Sequence, residues 1–168
     1  MLRKRMVLIG LFLAPFLVAH ASDEVAKSIT EGSVESRVDV LSSIQPGLGV
    51  VMHEFGYRFA NIYWAANGGN WGLAQYQLKE LRESQEVAEI TRPQRAGMLK
   101  AFESTYLLPL GQAILNKNTK TFNEKFSETE IACNACHTAL GYGFIKFKVP
   151  KTSKEDFLDF TLKTDPKL

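Results

Sequence analysis

Two thiols three positions apart, followed at once by an imidazole, make up the cluster whose residue types and spacing specify a chemistry: Cys133-Asn134-Ala135-Cys136-His137. On a helix, positions i and i+3 share a face, so both sulfurs can reach one edge of a flat macrocycle. The next side chain then brings a ring nitrogen to its metal. C-x-x-C-H is the attachment pattern of a c-type haem, in which each S–H adds across a vinyl C=C and the histidine binds iron from one side. With two cysteines and three histidines in 168 residues, this order arises by chance on the order of one time in a thousand or less.

Three other readings of the cluster explain less. A zinc site built on Cys133, Cys136 and His137 would ask adjacent side chains to share one tetrahedral ion, and the usual second ligand pair is missing. A thioredoxin-like dithiol would sit at a helix start between strands, whereas this cluster lies late in a helical pattern. A structural disulfide closing so short a loop adds little stability.

The other face of the iron depends on a short inventory. The methionines are Met1, Met6, Met52 and Met98, and the histidines are His20, His53 and His137. Arg3-Lys4-Arg5, an apolar run from Met6 to Val18 and Ala19-His20-Ala21 have the form of a secretory signal peptide spanning residues 1–21. The run is short against the roughly 20 residues that cross a bilayer. Cleavage there would leave Met52, His53 and Met98 as distal candidates, or an open position. With Leu48 at zero, Met52 falls at about 40° and His53 at about 140°, against an apolar stripe from about 300° to 40°. Met52 is thus expected to face the core and His53 its margin.

These residues need a helical frame. Residues 22–46 read as a polar leader with one short helix, ending at Pro46-Gly47, and residues 47–168 as a single helical c-type haem domain. Leu48 to Ala66 carries apolar residues at steps of three and four. Asn67-Gly68-Gly69-Asn70 is a turn, with Asn70 the cap of a second helix running to about Ile90. After Thr91-Arg92-Pro93 a third helix carries Met98, Phe102, Tyr106, Leu110 and Ile114, with a kink expected at Pro109. A fourth starts near Thr121, or restarts at the capping box of Ser127-Glu128-Thr129-Glu130, and ends at Gly141 and Gly143. Phe144 to Pro150 alternates apolar and basic residues like a short strand or extended arm. The predicted fold is all-α, an up-and-down four-helix bundle with covalent haem on the last helix and a short C-terminal arm.

The chain carries 20 basic and 18 acidic residues, a formal +2. Losing Arg3, Lys4 and Arg5 would leave 17 against 18, so the basicity belongs to the signal peptide and no nucleic-acid footprint remains. The expected mature chain is exported, periplasmic in a bacterium, with no membrane span.

In this layout the chain resembles class II c-type cytochromes, the cytochrome c-prime group and its low-spin relatives, which carry C-x-x-C-H on the last of four helices. It is also similar to exported bacterial haem proteins with an Asn-Trp-x-Leu-Ala-x-Tyr segment, here Asn70, Trp71, Leu73, Ala74 and Tyr76. The resemblance implies one covalent haem c on Cys133, Cys136 and His137, with Met52 matching the helix-one methionine that fills the sixth position in low-spin members. It also implies a homodimer paired through helices one and two. Class I cytochromes take their methionine from after the motif, and no methionine follows Met98 here.

Phe55, Phe59, Tyr63, Trp64 and Trp71 are candidate haem contacts, and Lys146, Lys148, Lys151 and Lys154 could guide an acidic redox partner protein. The implied function is a one-electron carrier, since a His137/Met52 iron changes oxidation state with little ligand rearrangement. The alternative is a five-coordinate or weakly six-coordinate protein binding nitric oxide or carbon monoxide. An enzyme would need an open site with a placed acid-base group, for which His53 is the one histidine left, so no catalysis is expected.

Overall fold

The computed structural model describes residues 29–153 and 155–167; the predicted signal peptide and the start of the leader lie outside them. The chain divides after Ile44 into two compact units. In the first, α1 spans Val34–Ser43 and starts where the Ser33 hydroxyl accepts from the Ser36 amide.

The second unit, from Gln45 onward, is helical: α2 (Leu48–Gly68), α3 (Trp71–Thr91), α4 (Pro93–Phe102), α5 (Leu108–Leu115) and α6 (Thr119–Ala139). A π-helical segment, Glu103–Leu107, joins α4 to α5 without a break. Pro109 explains it. Its ring cannot donate and clashes with the carbonyl four residues back, and the ladder slips by one so that the Leu108 amide bonds to the Glu103 carbonyl. The kink expected at Pro109 is thus resolved as a π turn just before it. The expected restart at Ser127 does not occur: α6 is continuous and is capped by Asn118, whose side chain accepts from the Thr121 amide.

Asn70 caps α3 as its spacing predicts, accepting from the Leu73 amide at 3.1 Å. α2 ends in left-handed Gly69 (φ +88°), with the Asn70 amide bonding back to the Ala65 carbonyl. Gly68 serves a second purpose, since a Cβ there would run into the Phe160 carbonyl. The C-terminal segment lies across this turn, where Asn70 Nδ2 donates to the Asp159 carbonyl and the Gly72 amide to Thr164 Oγ1. An isolated bridge pairs Asn70 with Thr164, and no strand forms among the described residues, including the Phe144–Pro150 arm.

One apolar cluster, centred on fully buried Phe59, Ile62, Leu81, Leu107, Leu110 and Phe122, fills the space between α2, α3, α5 and α6. A smaller one joins Val51, Ala88 and Leu99, with Leu48 and Met52 packed on it. No helix among the described residues is long and apolar enough to cross a membrane.

Candidate haem site

Where the larger cluster gives way to the smaller one lies a cavity of about 820 Å³. Cys133, Cys136 and His137 line it from α6, Met52 and His53 from α2, and Met98 from α4. Every candidate ligand and attachment residue of the second unit therefore reaches one space. A hollow of about 940 Å³ between α3, α5 and the C-terminal segment holds no cysteine, histidine or methionine.

The geometry around His137 begins with the end of α6. Gly141 adopts φ +83°, its amide bonds to the Thr138 carbonyl, and the Tyr142 amide reaches the His137 carbonyl at 2.7 Å. These paired bonds make a Schellman closure, which turns the chain back along the helix it has left. The arm then passes His137, where the Ile145 carbonyl lies 2.9 Å from Nδ1. A carbonyl can only accept, so Nδ1 carries a proton, and in the neutral ring this tautomer leaves the Nε2 lone pair for a metal.

Asn134, between the two cysteines, fixes the arm. Its Oδ1 accepts from the Phe147 amide at 2.8 Å and its Nδ2 donates to the Phe147 carbonyl at 3.0 Å, the pairing a neighbouring strand would supply. Asn134→Ala removes both bonds and is expected to cost about 1–3 kcal/mol. The loss should appear as a lower urea midpoint and as hydrogen exchange at the Phe147 amide that quickens more than exchange within α3.

The thiols are not set up for thiolate chemistry. Burial pushes Cys133 up to about 12, helped by the neighbouring Cys136. Burial also raises Cys136, against the pull of the Arg95 guanidinium. Reactive redox cysteines have lowered values. Among the described residues no three His, Cys, Asp or Glu side chains gather to hold a metal ion.

The distal candidates differ in setting. Met52 is half-buried against Val51, Ala88 and Leu99, and His53 is exposed at the rim. Met98 Sδ lies 3.5 Å from Cys136 Sγ, at the thiol end of the cavity. Phe55 and Phe59 line the cavity, whereas Tyr63 packs on Phe126 and Trp71 on Phe122. Lys146, Lys148 and Lys151 are exposed along the arm, and Lys154 lies outside the described residues.

No family model, curated protein or solved structure matches this chain. The assignment of the site therefore rests on its own chemistry. The volume falls in the range of small-molecule and cofactor sites, roughly 300–1,000 Å³. The walls are apolar, with Phe55, Phe59, Leu99, Phe102 and Phe147 among them. Two thiols on one helix face, an imidazole with a free Nε2 and flat apolar walls fit a haem.

Several lining residues were not singled out by the sequence: Gln85, Arg92, Arg95, Phe102 and Phe147. Gln85 is fully buried, and its Nε2 donates to the Leu99 carbonyl and to Glu89, while its Oε1 has no partner.

Proposed function

We propose that the protein is an exported c-type cytochrome that carries one covalent haem and transfers single electrons. Cys133 and Cys136 hold the haem, His137 is the proximal ligand and Met52 the distal one. The observation that carries this reading is the gathering of both thiols, the Nε2 of an oriented His137 and the methionine candidates around one apolar cavity. When bound, the haem supplies an iron that cycles between two oxidation states. The chain's own residues bind it, orient the imidazole through the Ile145 carbonyl, and exclude water with the arm and the aromatic walls.

On this reading α2, α3, the continuous rod from α4 to α5, and α6 form the up-and-down bundle of class II cytochromes. The protein is a carrier and not an enzyme, and its partner is another redox protein. Residues 1–21 direct export and are removed, and the mature chain pairs as a homodimer.

One observation favours the gas-binding alternative. Met52, though it lines the cavity, also packs in an apolar cluster of its own, the ordinary fate of a core methionine. Optical spectra of the purified holoprotein, oxidised and reduced, with and without carbon monoxide, separate the two. A low-spin spectrum indifferent to carbon monoxide is expected, with Met52→Ala converting it to a high-spin form that binds the gas. A parent protein that binds carbon monoxide promptly, with Met52→Ala leaving its spectrum unchanged, would remove Met52 from the iron.

A further inference from the structure

Resting on the haem reading above, we infer that Arg92 and Arg95 form a carboxylate-binding pair that takes the two haem propionates. The charged residues lining the cavity are Arg92, Arg95 and Lys146, and none of the described lining residues is acidic. Such a wall suits a flat apolar ligand that carries anionic groups on one edge.

The register along α4 places the cations. Arg95 and Met98 are i, i+3 neighbours on α4, Arg92 is the residue that precedes its first turn, and all three line the cavity. Met98 marks the thiol end, because its sulfur touches Cys136 Sγ at 3.5 Å. Six residues back, Arg92 is displaced by about 9 Å along the axis, a span on the scale of a porphyrin. The row therefore offers sulfur at the end where thioethers form and the Arg92 guanidinium toward the opposite end, with Arg95 between them and near enough to Cys136 to act on its thiol.

Both arginines have donors to spare. Arg95 has no side-chain hydrogen bond or ion pair among the described residues, and Arg92 commits one Nη1 N–H, to the Thr91 carbonyl at 2.6 Å. Elsewhere in this unit the arginines are engaged: Arg58 with Glu54 and Gln77, Arg82 with Glu103. A partly buried cation without a counter-ion is costly, and a carboxylate ligand would relieve that cost through the planar fork of donors that lysine lacks. Lys146 sits exposed on the arm and offers a point charge only.

Resonance Raman spectra of the covalently loaded holoprotein test the pairing through the haem propionate bending band. Arg92→Gln and Arg95→Gln are expected to shift the band, and the double variant to shift it furthest. Lys79→Gln, which removes a surface cation paired with Glu83, should leave it in place. Where the double variant fails to mature, Arg92→Lys and Arg95→Lys carry the measurement, since they keep the charge but lose the fork and should shift the band partway. Full haem loading with an unmoved band, or a band moved by Lys146→Gln instead, overturns the arginine assignment alone. A parent protein lacking covalent haem overturns the haem reading and this assignment together.

Discussion

Replacing Cys133 and Cys136 together by serine is expected to yield a folded helical protein from which haem is fully extracted by acidified acetone, whereas the parent retains it. Serine is close to cysteine in volume, so the helices should survive, as circular dichroism would verify. Each single variant keeps one S–C bond and should retain haem, with its one unreacted vinyl group moving the pyridine haemochrome band to longer wavelength. Retention of haem by the double variant would exclude thioether attachment. The unattached chain provides an independent check, because a value near 12 for Cys133 leaves roughly one thiolate in 10⁵ at pH 7. Alkylation of Cys133 should accordingly be slow until the chain unfolds. The sign of the linkage is also fixed. A folded-state value raised above the ordinary 9.0 contributes stability in full below pH 9 and loses it as pH rises toward 12. The apo chain should therefore weaken over that window, and Cys133→Ser should flatten the dependence.

What could be read from sequence was local. The attachment motif is encoded in five consecutive residues, and α2 and α3 are bounded by a glycine turn, an Asn70 cap and Pro93. The helix wheel separated Met52 from His53, and the structure finds the first half-buried and the second exposed. What escaped was tertiary. Asn134 looks like a spacer between cysteines, and its role exists only because a Schellman turn brings Phe147 back beside it, thirteen residues later. Ile145 meets His137 by the same reversal. The arm was legible as extended, but no period or cap in it says that it will lie along α6. Arg92 and Arg95 read as unremarkable charges near a helix start until α4 is set against the thiols. The C-terminal segment docks through the Asp159 and Lys167 carbonyls onto Asn70 and Gln75 and through the Thr164 hydroxyl onto the Gly72 amide, contacts that hydrophobic patterning does not record.

Phe59→Ala is expected to damage stability and the cofactor cavity together, because one ring serves both the core and the cavity. Phe59 is 1% exposed, stacks on Phe126 with centroids 4.1 Å apart and planes 5° from parallel, and meets Phe147 of the arm at 5.2 Å. Truncating a buried phenylalanine costs about 3–5 kcal/mol, a large share of the roughly 5–15 kcal/mol that holds a domain folded. Phe126→Ala supplies the contrast. It is equally buried and loses the same stack, yet Phe126 does not line the cavity. Both variants should lower the unfolding midpoint by comparable amounts. Only Phe59→Ala should also enlarge the cavity, loosen the arm through Phe147, and change the visible spectrum of the holoprotein. Equal spectral changes in the two variants would mean that the wall near Phe59 does not touch the cofactor, and that its burial serves the helix core alone.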